Sequence, residues 1–253
     1  MLGWSINLFR VRGIQLSVHV SFLLLLAWVA NEGWQSGGMI GLVWHVAILL
    51  TFFCCVVLHE FGHSFTAMRF GIGVRRILLM PIGGMAEFES IPREPLRELL
   101  ITLAGPAVNF VIAGLLWMFV GFSAGPEYSA NAEGFAQLLL YANLAMGCFN
   151  LLPVFPMDGG RILRALLAWR MPYLRATFWA AMVGKCLAVA GAFIAAFVFQ
   201  SYLTSVLFVF IFLAGEAEYR AVRRREIDDA RWREMISRFY SPPPPTEPPI
   251  LSR

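Results

Sequence analysis

Six long apolar runs, at about 19–30, 40–67, 99–122, 135–157, 177–199 and 203–217, follow one another with short polar segments between them. They come close to the ~20 residues that a helix needs to cross a bilayer core, and a soluble core of 253 residues has no room for six such segments. Charged residues make up 14% of the chain, against about 25% in soluble domains, so the deficit is general. Cys54, Cys55, Cys148 and Cys186 all fall in apolar runs, which excludes a disulfide framework. A cleavable signal peptide is excluded for the first run because Trp28 spoils the small-residue cleavage site before Ala30. The expected fold is an α-helical polytopic membrane protein with about six transmembrane helices and a small membrane-associated β-hairpin or sheet.

A net charge of +4 would suggest nucleic acid in a soluble chain, but here the distribution of charge decides. With six spans, both termini share one side. On that side fall Arg10 and Arg12, then Arg69, Arg75, Arg76, Arg93 and Arg97, then Arg161, Arg164, Arg170 and Arg175, and eight arginines from Arg220 to Arg253. The opposite segments, around 31–39, 123–134 and 200–202, carry none. The positive-inside rule puts the termini and the 68–98 loop in the cytoplasm; no nucleic-acid partner is expected, and the bilayer is the surroundings. Lys185 fits neither set and is read as snorkelling from span five.

Between spans two and three, residues 71–89 are too short and too broken by Pro81, Gly83 and Gly84 to cross a membrane, and their two halves, over about 74–89, suggest a hairpin of strands. An alternating stretch from Val11 to Val20 suggests a short strand feeding the first helix. Residues 1–219 are expected to form the membrane-embedded domain, and 220–253 a charged, proline-rich cytoplasmic tail.

Span two ends in His59-Glu60-Phe61-Gly62-His63. Residues four apart in a helix lie about 40° apart around the axis, so both imidazoles can reach one metal. The chain's own frequencies of His and Glu give roughly 0.003 chance matches to this pattern. A hydrolytic zinc site with two imidazoles needs a third protein ligand and an open position for water. Of three Asp in the chain, two lie in the charged tail and the third, Asp158, closes span four within NLLPVFPMDGGR. Spans two and four run the same way, and by ~1.5 Å per residue His63 lies about 9 Å before Arg69 and Asp158 about 5 Å before Arg161, so the candidates share a depth. Glu60, rotated about 100° from His59, suits the general base that moves a proton from water to the leaving amine. The reaction class implied is peptide hydrolysis.

HExxH on one span with N-x-x-P-x-x-x-x-D-G on another resembles the site-2 protease family of intramembrane zinc metalloproteases, over about residues 10–218, with LAGPAVNF at 103–110 and PIGGMAEF at 81–88 as further points of likeness. The resemblance implies one Zn2+ per chain held by His59, His63 and Asp158, with Glu60 catalytic. It also implies that the strand after the glycine pair, Gly83, Gly84, Met85, Ala86, Glu87 and Phe88, receives substrate. The implied substrate is a single-pass membrane protein, such as one already trimmed by another protease, and the implied location is the inner (plasma) membrane. The PDZ or CBS domains of many relatives are not expected in so short a set of loops and tail.

Asn150 and Asn109 are candidates for holding the substrate backbone or an oxyanion, against a packing role between helices. His19 and His45 are expected to be packing residues. Gly105-Pro106 and Gly159-Gly160 suggest close backbone approach or a helix break beside a cavity. Two other readings remain: a membrane zinc protease with a glutamate ligand, Glu216 or Glu218, and a divalent-metal transporter with a His/His/Asp site.

Overall fold

The computed structural model describes residues 4–90, 92–121 and 131–239. Most of the 123–134 loop, expected on the outer side, and the polyproline end lie outside the described residues.

The chain begins with a hairpin of β1 (Ser5–Val11) and β2 (Ile14–His19), turning at Arg12 and Gly13, both at positive φ. β2 is the expected alternating strand; β1 was not anticipated. His19 then caps helix α1 (Val20–Arg69), its ring nitrogen accepting from the Ser21 N–H. A straight helix of 50 residues would be about 75 Å long. Instead Gly37 and Gly38 leave helical geometry, Gly38 at φ 59°, and the chain folds back on itself. Phe22 meets Phe53 edge-on with ring centroids 4.6 Å apart, and Leu25 and Leu49 join the same cluster. The turn is tight, since a Cβ on Gly33 would lie 2.6 Å from the Gly41 carbonyl oxygen. α1 is therefore the first two expected spans, with most of the expected outer loop absorbed into helix.

β3 (Val74–Met80) and β4 (Gly83–Phe88) form the expected hairpin and complete a sheet of order β1-β2-β3-β4, in which β2 and β3 are parallel. Ile14, Leu16, Val18, Ile77 and Leu79 pack with Phe53, Val56 and Ala67, so the sheet lies against the second arm of α1. Leu79 stands opposite Gly84 and Ile77 opposite Ala86, which puts Gly84, Ala86 and Phe88 on the α1-facing side. Beyond β4 no further strand pairs among the described residues.

Helices α2 (Pro95–Val120), α3 (Ala132–Asn150), α4 (Asp158–Ala168), α5 (Tyr173–Phe197) and α6 (Tyr202–Phe239) follow. α1, α2, α5 and α6 are long and apolar enough to cross a membrane. With α1 counted as two arms and α3 added, the described residues supply six membrane-length segments in a multi-pass chain. α3 is less apolar because Gln137 and Asn143 turn inward and are buried.

Two details differ from the sequence reading. Span four ends at Asn150, not near 157, because Pro153 and Pro156 cannot continue a helix; Asp158 instead opens the separate helix α4. Lys185 does not snorkel but pairs with Glu216 of α6 across the α5–α6 contact. At the boundary expected near 219, α6 continues without a break to Phe239.

Four helices meet at Arg164 of α4, which is 1% exposed. It donates to Glu98 of α2 (Nε to Oε1, 2.8 Å) and to Glu218 of α6 (2.6 Å), and its guanidinium lies over the rings of Tyr173 of α5 (5.1 Å) and Phe155 (5.4 Å). Truncating one partner of a buried pair strands the other charge at about 3–5 kcal/mol. Arg164→Met should therefore destabilise the chain by that order in detergent unfolding, and adding Glu98→Gln should restore part of the loss. Equal stability of the single and double variants would show that the buried charge is not what the arginine neutralises.

Candidate metal centre

The site is built where α1 and α2 cross at small residues. A Cβ on Gly62 would stand 2.7 Å from the Ala104 carbonyl oxygen, and one on Gly105 would stand 2.1 Å from His63 Nε2 and 2.8 Å from His59 Nε2. Only hydrogen at Gly105 lets α2 pass beside the two imidazoles. Pro106 disrupts the regular ladder of α2 at the same level, and here the Ile101 carbonyl accepts from His63 Nδ1 at 2.8 Å. On the other side, the segment 151–157 folds tightly onto α4, since a Cβ on Gly159 would lie 2.1 Å from the Leu152 carbonyl oxygen. That fold aims Asp158 at the histidines.

His59 Nε2, His63 Nε2 and Asp158 Oδ2 form a triangle with edges of 3.1, 3.1 and 3.3 Å. All three residues are buried. Donors held about 2.0–2.1 Å from a tetrahedral zinc lie roughly 3.3–3.4 Å from one another, so the donor set fits Zn2+ in size, in ligand type and in leaving a fourth position free. Glu216 and Glu218 belong to the Lys185 and Arg164 pairs, so the reading with a glutamate ligand finds none here.

The second nitrogens of the imidazoles settle their tautomers. A backbone carbonyl only accepts, so His63 carries its proton on Nδ1 and turns the Nε2 lone pair to the site. His59 Nδ1 is 2.5 Å from Asn109 Oδ1; Asn109 Nδ2 donates to Asn143 Oδ1 at 3.0 Å, and Asn143 Nδ2 donates to the Leu139 carbonyl at 2.9 Å. Since Leu139 O can only accept, the relay fixes both amides in orientation, and Asn109 must accept from His59. Such outer partners orient metal ligands and raise their basicity. Asn109, one of the two asparagines expected to hold substrate or to pack between helices, is fully buried and hydrogen-bonded to His59. Asn109→Leu should weaken zinc binding about 10–100-fold, measured by chelator competition. An unchanged affinity would remove Asn109 from that role.

Glu60 is half-buried and forms no hydrogen bond or ion pair with any described residue. Its side chain lies against the edge strand, where a Cβ on Gly84 would meet Glu60 Cγ at 2.6 Å. The structure therefore brings together His59, Glu60, His63, Asp158 and the start of β4. Along β4, Met85 and Glu87 point away from α1, and Glu87 accepts from Arg76 at 2.8 Å; that hydrogen bond holds the Glu87 carboxyl below its ordinary range. Gly83 opens the strand at φ 136°. Asn150 is the last residue of α3, half-buried, with no side-chain partner among the described residues. His45 bonds back to the Gly41 carbonyl and His19 caps α1, which leaves both outside the site.

Fold and site together define a polytopic membrane protein with a buried His/His/Asp zinc centre and a free glutamate beside it. Residues 47–134 and 125–191 match the model of peptidase family M50. A zinc metalloprotease of Methanocaldococcus jannaschii is 37% identical over 223 residues, covering 87% of this chain and 62% of the relative. Stage IV sporulation protein FB of Bacillus subtilis is 30% identical over 89% of this chain and 72% of its own. A solved site-2 protease from Methanocaldococcus jannaschii superposes with a TM-score of 0.60 at 35% identity, over 85% of this chain and 95% of that one. The chain belongs to peptidase family M50, the site-2 protease family of zinc metalloproteases. It spans 62% of the length of the archaeal zinc metalloprotease.

Proposed function

We propose that the protein is an intramembrane zinc endopeptidase that cleaves a peptide bond in or near the transmembrane segment of a single-pass membrane protein. One observation carries this: Glu60, a carboxylate with no hydrogen-bond or ion-pair partner among the described residues, stands between a zinc-fitting donor triangle and a strand edge that no described strand pairs with. Zinc, when bound, would polarise the scissile carbonyl and acidify water. Glu60 takes a proton from the attacking water and returns it to the leaving amine. Asn150, at the end of α3 and without a side-chain partner among the described residues, is placed to hold the substrate backbone.

A transmembrane helix hides its peptide bonds behind its own hydrogen bonds, so it must be unwound and its freed groups given partners. The strand Gly83–Phe88 offers them: an extended segment adds to β4 by backbone pairing and lies alongside Glu60. Proline at Ala86 should stop cleavage of a reconstituted substrate while zinc content stays that of the wild type; undiminished cleavage would sink strand addition there. The reading as a whole is tested by incubating the reconstituted protein with a single-pass substrate. Fragments should appear, and should vanish with chelator.

The cytoplasmic position of both termini rests on the one-sided arginines, and residence in the inner (plasma) membrane rests on that topology and on the family. A substrate already trimmed by another protease is the form whose short ectodomain would reach such a site most readily.

A further inference from the structure

One polar feature beside the site takes no part in the chemistry above. Where the chain leaves β4, a cavity of about 30 Å³ is lined by Phe88, Ser90, Glu98, Thr102, Arg161 and Arg164. Glu98 is 3% exposed. Its Oε1 takes the Arg164 and Tyr173 donors, while its buried Oε2 has no hydrogen-bond partner among the described residues. Across the cavity Arg161 forms no hydrogen bond or ion pair with any described residue. A buried carboxylate oxygen without a donor is the kind of exception that calls for an occupant. At about 10–15 Å³ for each water-sized group, the space holds two or three, which is the size of a side-chain carboxamide.

The register of the sheet connects this cavity to the substrate strand. Gly84 touches Glu60, and Phe88, four residues on, forms the cavity wall. Four residues of strand span about 13 Å, and an even separation keeps both on one face. A substrate segment added to β4 would therefore turn toward the cavity the side chain four positions from the residue opposite Gly84.

We infer that this cavity is a subsite of the substrate strand that selects a carboxamide side chain, Asn or Gln, at that position. The inference rests on the strand-addition reading above. The chemistry is complementary: the carboxamide oxygen accepts from Arg161, and its NH2 donates to Glu98 Oε2. A carboxylate would face the Glu98 oxygen, an ammonium would face two guanidinium groups, and an aliphatic side chain would leave both free polar groups desolvated and unpaired.

The test uses the full chain, reconstituted with zinc, and a single-pass substrate whose scissile bond has been mapped. Each residue within six of that bond is replaced in turn by Asn, Leu and Asp. One position should favour Asn over both others by at least about tenfold in kcat/KM, because a site built to hydrogen-bond rejects analogues that cannot. In Arg161→Met, checked for wild-type zinc content, the Asn-to-Leu ratio should fall about fivefold or more with the lost donor, while Asp stays rejected by Glu98. No preferring position, or an Asn-to-Leu ratio that Arg161→Met leaves unchanged, overturns the subsite and leaves a cavity for water. A zinc-loaded wild type that cleaves no member of the series overturns proteolysis and the subsite together. That result differs from failure of the subsite alone, in which all members are cut at similar rates.

Discussion

Gly105→Ala should strip the protein of its metal although Gly105 is not a ligand. The added methyl would lie 2.1 Å from His63 Nε2 and 2.8 Å from His59 Nε2, on top of the two donor atoms. Neither ring can yield, because each is held from behind, His63 by the Ile101 carbonyl and His59 by Asn109. Helix propensity argues the other way, since alanine in place of glycine in a helix interior gains about 1 kcal/mol. The clash involves protein atoms alone, and overpacking of about 1–3 kcal/mol offsets or exceeds that gain. Zinc affinity should drop by about 100-fold or more, beyond the loss from an outer partner alone, and thermal stability of the metal-free protein should not rise as propensity alone would have it. Gly114→Ala on the same helix is the control: nothing lies within 4 Å of its added carbon, so zinc should remain. If Gly105→Ala binds zinc as tightly as the wild type, the crossing of α1 and α2 is not as close as described.

What could be read from the residues alone depended on how local each constraint is. His59 and His63 were legible because i,i+4 spacing on a helix is a local geometry. Asp158 was legible because carboxylates are rare in this chain and its depth matched that of the histidines. The end of span four was misread. Leu151, Leu152, Val154 and Phe155 prolong the apolar run, yet Val154 and Phe155 are apolar in order to pack against α5 and its neighbours, while Pro153 and Pro156 end the helix. β1 left little trace because its residues are largely exposed and show no alternation of burial. The role of Asn109 was out of reach, since it depends on a relay through Asn143 on another helix to a single carbonyl. Lys185 looked isolated in sequence; its partner Glu216 lies 31 residues away across a helix pair.

Glu60→Gln should abolish cleavage and leave zinc in place. Glutamine keeps the length of the side chain and its contact with Gly84, and Glu60 is not among the three donors, so metal content should match the wild type. What is lost is the capacity to accept a proton from water and hand it to the amine, an effect of about 10²–10⁴ in rate for a positioned general base. The loss should fall on kcat and leave KM nearly unchanged, because glutamine keeps the contact with Gly84 on the strand proposed to bind substrate and loses only the basic oxygen. The same variant separates proteolysis from metal transport. A transporter built on His59, His63 and Asp158 has no need of a base beside its first histidine, so metal flux into proteoliposomes that survives Glu60→Gln, with no cleavage by the wild type, would favour transport. Cleavage retained by the variant at more than about a tenth of the wild-type rate, well above the residue expected after loss of a base, would remove Glu60 from the chemistry. The open edge of β4 beside this side chain would then need another explanation, since its closeness to Glu60 is what joins the sheet to the metal centre.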